Sequence, residues 1–265
     1  MTTALNPRGG LGNQMFQIAA AYAHAKENKN ILKIRRLKDS DEKRPRYWSN
    51  MFVNCIPFLY DLLDSELKDW HQPHNGITTY TPIPEGSWRL HGLFQCSQYF
   101  AKYKEEIRTL FTPSPEIQTM VKYKYADLLS KENVVVVHAR RGDYLGLSHV
   151  MTVLPEFYYR IAMNKIKEDM GGVTPHFLFV CEEPDFWKLV VNPTDSYTIL
   201  EEPDEVLTMA LITQFQNFII ANSTFSWWAA WLSGAARVYA PAHWFGPCGP
   251  ENHSELYEPG WIVIS

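Results

Sequence analysis

The chain lacks several features that would fix its class at once. Its four cysteines, Cys55, Cys96, Cys181 and Cys248, form no Cys-x-x-Cys pair. That argues against a structural zinc site and fits free thiols in a reducing compartment. The opening stretch, Met1 to Gln14, has no apolar run long enough for a signal peptide or a membrane anchor, so a cytoplasmic protein without a membrane span is the expectation. An excess of one charge is missing too. The formal net charge of −4 favours neither nucleic acid nor an anionic membrane as a partner. With 46% hydrophobic and 20% charged residues the composition is that of a globular protein, not a disordered one. No internal repeat or low-complexity tract occurs. Glycosylation sequons at Asn222 and Asn252 carry no meaning in a cytosolic chain.

At 265 residues there is room for one large domain or two modest ones. The second half alternates. A valine strand at 133–138 precedes an amphipathic helix at 156–170, punctuated by Pro155 and Gly171-Gly172. Strands at 176–181, 197–200, 218–221 and 237–240 then alternate with helices at 184–191, 204–213 and 223–232. This repetition predicts a doubly wound parallel sheet. In the first half a helix over 13–26 follows the turn Gly9-Gly10-Leu11-Gly12, with no strong strand before it. A strand at 31–34, irregular structure over 39–85, a strand at 88–94 and a helix over 97–110 come next. A helix over 116–130 leads into the valine strand, and the boundary between the halves is placed at 113–131.

The most informative segment is Asn133-Val-Val-Val-Val-His138-Ala139-Arg140-Arg141-Gly142-Asp143. A wholly apolar, β-branched run reads as a strand buried on both faces. Two guanidiniums at its carboxyl end, where open α/β sheets bind ligands, suit a phosphate or pyrophosphate. The bland alternative is an Arg–Asp ion pair that holds the strand end. Alternation places His138 and Arg140 on one side and Arg141 on the other, with Asp143 orienting one of the arginines. The Arg-Gly-Asp match to an adhesion motif is chance in this setting.

Three further segments carry chemistry. Gly10 and Gly12 let the backbone approach a ligand at a helix N-terminus, with Asn13 and Gln14 as neutral donors. A plain tight turn is the alternative; neither a dinucleotide fingerprint nor a P-loop is spelled there. Asn222-Ser223-Thr224-Phe225 has N-cap chemistry at the mouth of a tryptophan-rich helix, fit either for an anion or for capping alone. Trp227, Trp228 and Trp231 read as core. Glu182, after the strand ending at Val180, can accept from the N1–H and 2-amino edge of guanine or can favour a helix dipole.

Together these segments resemble the α-1,2-fucosyltransferase family, a glycosyltransferase family 11-like set distantly related to the α-1,6- and protein O-fucosyltransferases. The resemblance rests on Gly9-Gly-Leu-Gly-Asn-Gln-Met-Phe-Gln17, His91-Gly-Leu-Phe-Gln95 with Tyr99-Phe100, Val137-His-Ala-Arg-Arg-Gly-Asp-Tyr144 and Asn222 to Leu232, and spans residues 8–240. It implies a GT-B-like fold of two Rossmann-type halves: 1–115 on the acceptor side and 131–265 binding GDP-fucose. It also implies inverting, metal-independent transfer to the 2-hydroxyl of a terminal β-galactoside. By the same resemblance Arg140 binds the β-phosphate and stabilises departing GDP, and His138 contacts the nucleotide. Ser223, Thr224 and Phe225 hold phosphates, and Asn13 donates to phosphate or sugar. Glu182 stands on the guanine-binding Asp, since Cys181-Glu182-Glu183 replaces Ser-Asp-Asp. No general base declares itself; Asp143 is nearest, but pairing with an arginine makes it a poor one. Two rivals are a metal-dependent transferase using Asp39-Ser40-Asp41 and a non-catalytic nucleotide- or glycan-binding module. Lys33, Arg35, Arg36, Lys38, Lys43, Arg44 and Arg46, interleaved with Asp39, Asp41 and Glu42, read as a solvated loop or an anionic docking site.

Overall fold

The computed structural model describes residues 1–36, 47–61, 66–73 and 77–265. Asp39-Ser40-Asp41, and with it Lys38, Glu42, Lys43, Arg44 and Arg46 of the basic cluster, lies outside the described residues. The chain divides into two compact units, Met1–Pro115 with Asn252–Glu258, and Glu116–Glu251 with Pro259–Ser265. Each is α/β and built on a parallel sheet, the two-unit plan of GT-B-like enzymes.

The first unit contains β1 (Thr2–Leu5), α1 (Leu11–Glu27), β2 (Ile31–Arg35), β3 (Leu59–Tyr60), β4 (Lys68–His71), β5 (Trp88–His91) and α2 (Lys104–Leu110). Its strands lie in the order β3-β2-β1-β5-β4, parallel throughout. Two sequence expectations are corrected. A strand, β1, does precede the glycine turn; Ala4 and Leu5 in it are buried. The helix over 97–110 shrinks to α2, because 3-10 turns at Ser97–Tyr99 and Ala101–Tyr103 replace its first half. There Phe100 adopts φ −140°, buried against Phe16 at 6.0 Å between ring centroids, and tertiary packing overrides local helix propensity. Of the basic cluster, Lys33 covers the Tyr60 ring and Arg36 pairs with Asp61 at the β2–β3 edge.

The second unit opens on α3 (Pro115–Lys124) and α4 (Ala126–Leu129), followed by β6 (Val134–His138), α5 (Glu156–Asp169), β7 (His176–Val180) and β8 (Ser196–Leu200). It continues with α6 (Glu205–Ile212), β9 (Asn217–Ile219), α7 (Thr224–Ser233), β10 (Arg237–Pro241) and β11 (Ile262–Ile264). The strand order is β11-β10-β9-β6-β7-β8, again parallel. Every residue of β6 and β7 is buried, as expected of strands covered on both faces. Ser223 caps α7, and Gly234 ends it in the left-handed conformation at φ 66°. Trp227 and Trp228 are fully buried, and Trp227 packs its ring against Trp231 and Trp261, so the tryptophans are core. β10 is not the last strand as the sequence pattern suggested: β11 pairs beyond it, Tyr239 opposite Ile262.

Candidate active site

In the second unit the chain runs from β6 outward through β7 to β8, returns to β9 at the other side of β6, and then runs outward through β10 to β11. Strand order therefore reverses between β6 and β9. Open α/β sheets bind ligands outside the carboxyl ends of strands at such a switch point. The segments leaving those two strands are Ala139 to Asp143 and Ile220 to Thr224. The two candidate phosphate loops are brought together by topology alone.

Arg140 and Arg141 have separate surroundings. Arg140 pairs with Asp143, Nη2 to Oδ1 at 2.8 Å, and its Nη1 donates to Glu182. Its guanidinium also lies over the Tyr144 ring, 5.7 Å from the centroid. Arg141 turns the other way. Its guanidinium stacks on Phe186 at 4.3 Å and its Nε pairs with Glu183 at 3.2 Å. Tyr144 donates its hydroxyl to the Asn222 carbonyl at 3.1 Å and so ties the two switch-point loops together. Burial, above all, pushes Tyr144 up to about 12, so it remains a protonated donor. The thiol of Cys181 is raised to about 11, mainly by burial, and its sulfur accepts the Glu183 N–H at 3.2 Å, which shapes the loop that presents Glu182.

At the α7 mouth, Ser223 Oγ accepts from Phe225 N at 3.3 Å. The first-turn N–H groups of a helix have no partner inside it, so those beyond Phe225's remain at the mouth beside the half-buried Thr224 hydroxyl. Asn222 does not belong to this mouth. It is fully buried, and its Nδ2 donates to the Thr152 carbonyl at 2.8 Å and the Trp244 carbonyl at 2.7 Å. Its expected ligand contact is corrected to a brace between loops. Glu182 likewise sits on Arg140, not free for a base edge.

In the first unit the order reverses between β1 and β5. The glycine turn leaves β1, and the segment ending at Gln95 leaves β5. Gln95 Nε2 donates to Asn13 Oδ1 at 2.9 Å, which turns the Asn13 Nδ2 donors away from Gln95. Gln14 is buried and donates to the Gly9 carbonyl at 2.8 Å, so it braces the turn and offers nothing outward. Gln17 does the same for Arg8, donating to its carbonyl at 2.8 Å. The glycine whose conformation is required is Gly9, at φ +86°, where a Cβ would meet Asn13 Nδ2 at 3.0 Å. Gly10 is ordinary extended backbone and Gly12 lies inside α1. Phe94 takes a left-handed φ of 52°, strain placed beside Gln95. Sequence reasoning left Gly9, Gln95 and Tyr144 out of the site; each lies within a motif quoted for the resemblance, but only the hydrogen bonds and dihedrals reveal what it does.

His138 is buried, its ring 5.5 Å from that of Phe225, and its Nδ1 has no partner among the described residues. Desolvation, with Arg140 adding to it, pushes its pKa down to about 3. The unfolded chain takes up that proton near pH 6.5. Between those values only the unfolded state binds it, so stability falls as pH drops from about 6.5 toward 3. His24 and His176 are shifted in the same direction, chiefly by burial. His138→Gln is expected to flatten the dependence of urea stability on pH between 6.5 and 4 without removing it. An unchanged slope would show that His138 is protonated in the folded state.

The sequence profile described as glycosyl transferase family 11 matches residues 1–265. An α-1,2-colitosyltransferase of Escherichia coli is 29% identical, covering 89% of this chain and 90% of that protein. The galactoside α-(1,2)-fucosyltransferase 2 of Oryctolagus cuniculus is 26% identical, covering 98% of this chain and 76% of its own length. Among solved structures, the fucosyltransferase NodZ from Bradyrhizobium aligns with a TM-score of 0.58 at 14% identity, over 90% of this chain and 94% of that one, a likeness of fold. With a profile matched from end to end and relatives aligned over nearly the whole chain, this protein belongs to glycosyltransferase family 11.

Proposed function

We propose that the chain transfers fucose from GDP-fucose to the 2-hydroxyl of a terminal β-galactoside, with inversion and without a metal. The observation that carries this reading is the meeting of Arg140 and the α7 mouth at one switch point. Attack by the acceptor hydroxyl on C1 of the sugar breaks the bond to the β-phosphate oxygen, and negative charge grows on the departing GDP. Fixed cations and helix-mouth donors stabilise that charge. Arg140 takes the β-phosphate; Ser223, Thr224 and the Phe225 backbone take the remaining phosphate oxygens. Arg140 holds two carboxylates in the free enzyme, and the diphosphate displaces Glu182 from it. Glu182 then accepts from the guanine edge, and the neutral His138 contacts the nucleotide.

The galactoside relative supports the acceptor class, and NodZ, studied after soaking with GDP-fucose, supports the donor class. The colitosyltransferase relative raises a second donor, GDP-colitose, whose sugar is fucose without its 3-hydroxyl. Among the described residues no helix is long and apolar enough to cross a membrane, and the cysteines are free thiols. We place the enzyme in the cytoplasm on that basis.

The test is transfer to lactose or N-acetyllactosamine in excess EDTA, following product and GDP release from GDP-fucose and GDP-colitose separately. An α-1,2-linked fucosyl product is expected. Product from GDP-colitose alone would replace the donor, and loss of all activity in EDTA would overturn metal independence. Inosine diphosphate, which lacks the 2-amino group, should bind more weakly than GDP; equal binding removes Glu182 from the guanine edge.

A further inference from the structure

β4 and β5 end side by side, with Asp69 opposite Arg89 and His71 opposite His91 in register. Residues two apart on a strand share a face, so these four side chains project together. Asp69 Oδ1 lies 2.8 Å from His91 Nε2, and the His71 and His91 rings stack at 4.5 Å with 13° between their planes. One ligating atom from each of Asp69, His71 and His91 can be chosen so that all three lie within 4.8 Å of one another. An Asp–His ion pair accounts for His91 alone. The His71 ring makes no hydrogen bond among the described residues, yet it is held against that of His91. The backbone beneath is fixed by Gln72, whose Oε1 accepts from Leu93 N at 3.0 Å and Phe94 N at 2.9 Å.

We propose that Asp69, His71 and His91 form a binding site for a borderline divalent cation, zinc foremost. Two imidazoles and a carboxylate are a ligand set for zinc, and imidazole also suits nickel and copper. Ligands about 2.0–2.1 Å from a tetrahedral zinc ion stand roughly 3.3 Å apart, so ligand atoms that lie within 4.8 Å of one another must close by no more than about 1.5 Å. Three protein ligands leave one position open to water or a ligand hydroxyl. Arg89 donates to Asp69 Oδ1 at 3.2 Å and is the competing cation. The site lies in the first unit, on residues separate from Arg140 and the α7 mouth. It has no part in GDP departure, so chelation removes its ion without stopping transfer.

The test is zinc titration of the untagged, EDTA-stripped full chain against a chromophoric chelator, with far-UV circular dichroism to confirm that each variant is folded. One zinc per chain is expected. His71→Ala, His91→Ala and Asp69→Asn should each weaken binding about tenfold or more. His243→Ala, outside the cluster, should bind as the parent does, and Arg89→Ala should bind several-fold more tightly. Absence of stoichiometric binding, or folded His71→Ala and His91→Ala variants that bind as the parent does, overturns the site. Equal weakening in His243→Ala does so as well.

Discussion

Arg140→Ala is expected to cut fucosyl transfer about 100-fold or more, whereas Arg141→Ala keeps most of the turnover and loses stability. The two residues are adjacent in sequence, but their partners divide the work. Arg140 is held at the switch point by Asp143 and Glu182, whose side chains are 44% and 45% exposed. Removing it deletes a cation that can meet the leaving phosphate, and losing one such fixed donor costs about 3 kcal/mol of transition-state stabilisation. The carboxylates left behind stay in contact with water, so the melting temperature should hold. The Arg141 side chain, 20% exposed, lies over the Phe186 ring and pairs with Glu183. A stacked guanidinium is worth about 1–2 kcal/mol when partly desolvated, and in a chain of this size each kcal/mol moves the melting point by about 2–4 °C. Steady-state kinetics and thermal melts on both variants decide the matter. Equal residual activity with equal melting temperatures would end the distinction. Arg140→Lys should recover only part of the loss, because an ammonium restores charge but not the planar two-point contact.

The separate placement of the two arginines was legible in the sequence because alternation at a strand end depends only on local geometry. Arg140 turns to Asp143 and Glu182, and Arg141 to Phe186 and Glu183. The α/β class and the regular elements of the second unit were equally plain, since β6 and β7 are apolar at nearly every position and helices with clear stop signals separate the strands. The failures have physical causes. β1 is only four residues long, and β4, Lys-Asp-Trp-His, is a polar edge strand with no alternating signature. β11 has three residues and follows a segment, Asn252–Glu258, that packs in the other unit. The expected helix over 116–130 breaks at Tyr125, φ −118°, whose hydroxyl donates to the buried side chain of Glu202 at 2.5 Å, a contact between residues far apart in the chain. In the site, residue type pointed to Gln14 and Asn222 as ligand contacts. Amide side chains satisfy carbonyls as readily as ligands, and which they do depends on where neighbouring loops pass. Glu182 differs again: its carboxylate is held by Arg140, a partner that residue type alone does not indicate.

Asn222→Ala is expected to destabilise the protein by about 3 kcal/mol while leaving GDP affinity of the folded fraction near that of the parent. Its neighbour Ser223→Ala should do the reverse. Asn222 is fully buried at the carboxyl end of β9 and donates to two carbonyls from separate segments, Thr152 and Trp244. Leaving buried acceptors without donors costs about 1–3 kcal/mol each. The Trp244 carbonyl retains a long contact from Thr152 N at 3.5 Å, which limits the loss there. Asn222→Asp tests the same point at constant shape, because a carboxylate has no donor to give and is itself costly to bury. Ser223 caps α7 through a single contact to Phe225 N, and losing a cap costs about 1 kcal/mol. Its hydroxyl stands where the proposed phosphates dock, so its removal should weaken GDP binding about tenfold, as expected for one hydrogen bond to a charged group. Urea melts and calorimetric GDP titrations on the three variants separate brace from ligand contact. An Asn222→Ala protein that melts with the parent yet no longer binds GDP would return Asn222 to the phosphate site and make the loop brace incidental.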